Sequence, residues 1–256
     1  MDTHTTELAS PVKTAQTTFR VIEALKELDG ANVTELSAHL DMPKSSAHNY
    51  LQTLEHEGYL VKSGQQYEVG LRFLDLGAYA RTREQLYDVA RPELETVAEN
   101  TGEHANLLVE EHGLGIFLCR AQGEDAVSLD SYTGQSVRLH TTALGKTVLA
   151  HLPDDRVDEI IDRHGLERKT ERTVTDRDEL EAELAEIRQQ GVAYDREERI
   201  KGLRCVAVPI LSDDRITGAV SVSGPTSRMD DDRIETDILP QLRHAANIIE
   251  LNQTHS

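Results

Sequence analysis

The sequence predicts an α+β chain of two domains: an N-terminal winged helix-turn-helix, a helical linker, and a C-terminal antiparallel sheet with flanking helices. Three observations predict it. Residues 12–57 carry three helical patterns punctuated by Gly and Pro, and two short strands follow at once. Residues 71–100 read as one long helical stretch, with Pro92 as a candidate kink. From His104 onward the apolar period changes to that of strands, and strands then mix with helices to the end of the chain.

Each element has a local cause. Residues 1–11 are polar and are expected to form a disordered tail. Phe19, Ile22, Leu25 and Leu28 recur at three-residue steps until Asp29-Gly30 stops the first helix. Asn32 or Thr34 caps a second, short helix with Leu36 and Leu40 on its apolar side. Asp41-Met42-Pro43 makes the turn into a third helix, which runs to Gly58. Tyr59–Lys62 and Gln66–Val69 then form a hairpin around Ser63-Gly64-Gln65, the candidate wing. These elements bound a domain at 12–70, a linker helix at 71–91 and a second domain at 92–256. In that second domain strands are expected at 105–110, 115–120, 127–131, 192–195, 205–211 and 216–223. Helices are expected at 141–151, 154–163, 176–190 and 231–252.

Composition narrows the function classes. The 256 residues carry 27 Lys and Arg against 46 Asp and Glu, a formal net charge of -19 spread along the chain. Such a surface repels itself in dilute buffer, and molar salt shrinks the Debye length to about 3 Å. The charge therefore predicts a halophilic protein of a high-salt cytoplasm. Two distant cysteines, Cys119 and Cys205, make neither a disulfide framework nor a zinc motif. The polar first residues do not resemble a signal peptide, and no apolar run approaches the roughly 20 residues of a membrane span. A cytoplasmic location follows as the expectation. No nucleophile elbow, phosphate-binding loop or dinucleotide fingerprint is present. Neither an enzyme nor a cofactor or resident metal is expected.

The third helix carries the sharpest functional signal. Ala47, Tyr50, Leu51 and Leu54 form its buried stripe. Its other face offers Lys44, Ser45, Ser46, His48, Asn49 and Gln52, with Lys62 on the wing. Amide side chains at Asn49 and Gln52 suit the N6/N7 edge of adenine, and this helix-turn-helix spacing suits major-groove docking. The competing possibility is a solvated polar face. Residues 1–70 hold five Lys and Arg against ten Asp and Glu, unlike the usual basic footprint. Counterion release gains little in molar salt, so a halophilic binder leans on hydrogen bonds instead.

The run VIEALKELDGANVTELSAHLDMPKSSAHNYLQTLEHEGYL resembles the N-terminal domain of the IclR-type regulators. HTTALGKTVLA at 140–150, YDREERIKGLRCVAVPI at 194–210 and GAVSVSGP at 218–225 extend the resemblance in order. It covers nearly the whole chain from about Lys13. The resemblance implies a GAF- or PAS-like effector domain that binds a small organic acid. It also implies a homodimer or dimer of dimers on a palindromic double-stranded promoter site. By motif, the effector residues it implies are Ala143, Leu144, Gly145, Asp195, Cys205, Ser221 and Ser223. Physically, Gly145 offers either an open helical amide or tight packing. Ser221 and Ser223 share one strand face, as ligand hydroxyls or as a polar sheet surface. Cys205 is a ligand or redox contact, or inert core. Asp195 binds a ligand hydroxyl or caps a turn. Arg138 and His140 lie close by in sequence, with a surface role expected. One departure is Asn49, where the family often carries Arg.

Overall fold

The computed structural model describes residues 12–129 and 131–254, so the predicted tail at 1–11 lies outside the described residues. The chain divides into two compact units, at 1–80 and 81–256.

The first unit is three helices and a hairpin. Helix α1 spans Lys13–Glu27, α2 Val33–His39 and α3 Lys44–His56; strands β1, Leu60–Ser63, and β2, Gln66–Val69, form the wing. Asn32 caps α2 by accepting from the Thr34 and Glu35 amides, while Glu35 reaches back to the Asn32 amide. Gly64 turns the hairpin at φ +62°, a conformation that glycine adopts without a Cβ penalty. The core gathers Val21, Ala24, Leu25, Leu36, Ala47, Leu51, Leu54, Leu60 and Tyr67.

Here the α1 pattern read from sequence is corrected. Its buried stripe is Val21, Ala24 and Leu25, whereas Phe19 is 66% exposed and Leu28 also faces solvent. Apolar residues at uniform three-residue steps drift round a 3.6-residue helix, so only part of such a series can face one core. Tyr50 on α3 is likewise only partly buried.

The stretch 71–100 is also corrected: it is two helices, α4 at Arg72–Arg81 and α5 at Gln85–Thr101. The helix runs on through Pro92, and the interruption falls at 82–84 instead. α4 has no buried residue, so it lacks the packed face that sustains most helices in proteins.

The second unit is one six-stranded antiparallel sheet with helices on both faces. Its strands are β3 His104–Glu111, β4 Leu114–Gln122, β5 Ser136–Arg138, β6 Ala193–Arg196, β7 Leu203–Ser212 and β8 Arg215–Pro225. They are ordered β5-β4-β3-β8-β7-β6. One face packs Leu107, Val206, Val208, Val220 and Val222 against α5 and the last helix. That last helix begins as α9, Asp231–Arg233, passes a π-helical turn at Ile234–Ile238, and continues as α10, Leu239–Thr254. The other face packs Leu108, Phe117, Ala207 and Ala219 against α6 Ala143–His151, α7 Asp154–His164 and α8 Arg177–Gln190. Asp176 and Asp230 cap α8 and α9 through the amides of Glu179 and Arg233.

The strand expected at 127–131 does not form; 127–129 is irregular, and the added strand is β5. The β4 edge pairs with 136–138 instead. Val127 instead gives its carbonyl to His104 Nε2 at 2.6 Å.

Candidate functional site

In the first unit, α3 sorts its side chains as amphipathicity requires. Ala47, Leu51 and Leu54 are buried, while Lys44, Ser45, His48, Asn49 and Gln52 are exposed and Ser46 is half-buried. Exposed residues at positions 45, 48, 49 and 52 follow the i, i+3, i+4, i+7 spacing of one helix face. Lys62 projects from the wing with its ammonium 4.8 Å from the centre of the Tyr67 ring. The structure thus brings the predicted recognition residues onto one open surface, with Lys62 on the adjoining hairpin.

In the second unit, register builds a polar row across the sheet. Arg120 pairs with Asn106, Asn106 with Ser221, and Ser221 with Ala207. The next row on the same face is His104, Ser223, Cys205 and Asp195. This face carries Phe117, Ala193, Cys205 and Ala207 toward α6. Asn106 Nδ2 donates to Ser221 Oγ at 3.3 Å and to Ser223 Oγ at 3.2 Å. Four predicted residues, Asp195, Cys205, Ser221 and Ser223, therefore share one buried face of the sheet beneath α6.

Helix α6 lies against β3, β6, β7 and β8, and its first residues Ala143, Leu144 and Gly145 are fully buried. The reading of Gly145 as an open amide is corrected. Its N–H donates to Thr142 Oγ1 at 2.9 Å, the N-cap of α6. A Cβ there would come within 2.1 Å of the Leu139 carbonyl oxygen. Gly145 is required by packing on the 3-10 turn Leu139–Thr141. His140 is corrected too: it is buried, not a surface residue, with Nε2 on the Glu167 carbonyl at 3.0 Å, and burial lowers its pKa. Arg138 stands 2.6 Å from His164 Nδ1 and 3.8 Å from Glu167.

Burial pushes the Asp195 carboxyl up to about 7, and the Glu198 charge adds to it. Its Oδ1 accepts the Glu198 amide at 2.7 Å. Burial and then Asp195 push the Cys205 thiol up to about 12, which keeps it protonated and a poor nucleophile. Because the Asp195 pKa is raised in the folded state, its stabilising contribution is full below its ordinary value of 3.8 and is lost as pH rises through about 7. Asp195→Asn keeps an oxygen acceptor without the charge. Its stability is expected to match the natural protein near pH 4 and to exceed it by a few kcal/mol at pH 8, since a tenfold change in an acid's ionisation constant corresponds to about 1.4 kcal/mol. Thermal melts across that range check this, and equal pH profiles would refute it.

Sequence inspection missed Asn106, Arg120, Phe117 and Arg199, which lie on or beside the same face. Arg199 lies over the Phe117 ring at 5.2 Å and donates to Gln135 Oε1 at 3.2 Å. Arg120 donates to the Ser131 carbonyl, and its Nε is buried without a partner. The available signal was Arg120 itself, a charge immediately after the apolar run Ile116–Cys119.

Comparison with known proteins bears on this arrangement. Residues 79–251 match the family described as the bacterial transcriptional regulator IclR C-terminal domain, and residues 14–64 match the IclR helix-turn-helix domain. The chain belongs to the IclR family of transcriptional regulators. It is therefore a DNA-binding regulator of two domains, not an enzyme. A probable HTH-type transcriptional regulator ArcR of Halobacterium salinarum is 33% identical, over 90% of this chain and 90% of its own. The crystal structure of the Thermotoga maritima IclR superposes with a TM-score of 0.73 at 28% identity, covering 94% of this chain and 98% of that one. An IclR homolog from Microbacterium hydrocarbonoxydans, solved with 4-hydroxybenzoate, gives 0.75 at 25% identity over 93% and 100%. No helix among the described residues of this IclR-family chain is long and apolar enough to cross a membrane.

Proposed function

We propose that this IclR-family regulator binds a palindromic promoter site as a homodimer or dimer of dimers in the cytoplasm. A small organic acid held between α6 and the sheet sets its affinity for that site. The observation that carries this is a buried polar patch: Asn106, Ser221 and Ser223 lie buried and hydrogen-bonded to one another, with His104, Arg120 and Asp195 on the same sheet face beside the apolar side chains packed on α6. Buried polar groups are costly unless they have partners, and hydroxyls beside an amide supply donors for a carboxylate. The Microbacterium relative, solved with 4-hydroxybenzoate, supports an acid as the ligand class.

DNA recognition is assigned to Lys44, Ser45, Ser46, His48, Asn49, Gln52 and Lys62. The effector contacts are Asp195, Cys205, Ser221 and Ser223, with Ala143 and Leu144 on the α6 side of the patch and Gly145 as its packing support. Self-association is supported by the large apolar side chains that the first unit leaves exposed: Phe19 on α1, and Leu71, Leu74, Leu76 and Tyr79 on and beside α4. Residues 71–91 are the coupling segment, flexing at 82–84. An effector shifts such a system only if it favours one arrangement of the paired winged units over another.

Purified protein in molar KCl, mixed with fragments of the genome that encodes it, is expected to enrich a small set of palindromic promoter fragments. An organic-acid panel is expected to change that enrichment. Ser221→Ala with Ser223→Ala is expected to abolish the response while keeping DNA binding. Folded protein that enriches nothing, with or without acids, overturns the regulator mechanism. A full response in the double variant overturns the site.

A further inference from the structure

Many arginines of the second unit end on a carboxylate. Arg91 meets Glu95, Arg156 meets Glu110, Arg188 meets Asp154, Arg204 meets Asp231, and Arg228 and Arg233 meet Glu103. Arg120 and Arg199 depart from this. Their hydrogen-bond partners among the described residues are neutral oxygens, the Ser131 carbonyl and the Gln135 side chain. Both are partly buried, and burial is the first cause that lowers each pKa; the charge of Arg199 lowers Arg120 further. Two partly buried arginines whose hydrogen bonds go to neutral oxygens, with a buried Nε unmatched on one, call for an anion.

Among the described residues, no carboxylate pairs with either arginine's side chain in this region. Lys146 is already matched by Glu183 at 2.6 Å and Glu198 at 2.7 Å. Asp195 accepts the Arg199 backbone N–H and acts on the Arg199 side chain through its charge, and its raised pKa leaves it partly protonated near neutrality. The cationic end of the polar row is Arg120, and the hydroxyl end is Ser221, two strand spacings away across Asn106. At about 4.8 Å per spacing, the row spans about 10 Å between backbones.

We infer that the effector is a short dianion, with one acid group taken by Arg120 and Arg199 and a second acid group taken by Ser221, Ser223 and Asn106. This rests on the effector site proposed above and names its ligand class. Two guanidiniums match two negative charges. Arginine also suits a planar carboxylate through paired N–H donors. A monoacid would leave one of the two guanidiniums uncompensated. A cleft of about 290 Å³ on the α5 side of the β4 edge, lined by Tyr87, Arg91, Glu95, Glu99, Cys119 and Arg120 among others, exposes part of Arg120 to solvent.

The test is calorimetric titration at one fixed KCl concentration with three matched pairs: malonate and propionate, succinate and butyrate, glutarate and valerate. At least one diacid is expected to bind tenfold or more tighter than its monoacid partner. Arg199→Gln and Arg120→Gln are each expected to reduce that ratio below threefold. Ser221→Ala with Ser223→Ala is expected to weaken both members of a pair. If mono- and diacids bind alike, and the serine variant weakens both, the dianion is overturned while the effector site stands. If no diacid binds, the dianion is overturned. If binding ignores the serine and arginine variants alike, the site and the dianion both fall. The comparison of acids on the natural protein needs no variant to fold.

Discussion

Lys146→Met is expected to cost the second unit about 3–5 kcal/mol at neutral pH, the penalty for leaving buried charge without its partner. Lys146 is fully buried on α6, and its ammonium lies 2.6 Å from Glu183 on α8 and 2.7 and 2.8 Å from the two Glu198 oxygens. One side chain therefore ties α6, α8 and the loop after β6 together, and that loop also carries Arg199. Removing the cation leaves two carboxylates facing each other. Burial already raises the Glu198 pKa, and the Lys146 charge opposes that rise, so the variant's Glu198 titrates higher still. A raised acid pKa gives stability that is present at low pH and lost as pH rises through the folded value. The deficit is therefore expected to be larger at pH 8 than at pH 5. At 2–4 °C per kcal/mol for a unit of this size, the melting temperature is expected to fall by roughly 10 °C at neutral pH. Adding Glu183→Gln and Glu198→Gln is expected to recover most of it, as replaced buried ion pairs often do. A loss below about 1 kcal/mol, or one identical at both pH values, would refute this account.

The same lysine shows what sequence could and could not give. Its motif, HTTALGKTVLA, placed α6 correctly and flagged 143–145, but the chemistry of Lys146 depends on carboxylates 37 and 52 positions away. Local pattern recovered the elements whose cause is local: a cap for α2 at Asn32 or Thr34, where Asn32 does the capping, and the wing turn around Gly64. It also recovered the polar face of α3, because one helix sorts its own side chains. It failed where a distant strand decides. Residues 127–131 have strand composition, yet the β4 edge is taken by 136–138. Phe19 fits an apolar series, yet the core claims Val21 and Leu25. The polar patch was half legible: Ser221 and Ser223 alternate visibly, but only the β3–β4 register, with its shift between Leu107 and Leu108, turns Arg120 onto the same face.

Asn49→Ala combined with Gln52→Ala is expected to weaken specific DNA binding by about 2–6 kcal/mol, since each amide-to-adenine pair discriminates by about 1–3 kcal/mol. That is about thirty-fold to more than ten-thousand-fold in dissociation constant. Both side chains are exposed, so the melting temperature is expected to stay unchanged, which separates lost recognition from lost fold. Non-specific binding is expected to change far less, because phosphates rather than bases carry it. Lys44 and Lys62 are the lysines of the proposed DNA surface, in a domain where acids outnumber bases. With a slope of about -0.9 per neutralised phosphate, two lysines give a salt dependence near -2 per protomer, shallow for a DNA-binding protein. A shallow slope lets specific binding survive molar KCl, where a phosphate-driven binder releases its DNA. The two measurements together decide the mechanism. Specificity lost with the amides at a shallow slope fits recognition by hydrogen bonds on α3. Unchanged operator affinity in the double variant, or a slope several-fold steeper, assigns DNA binding to another surface of the chain.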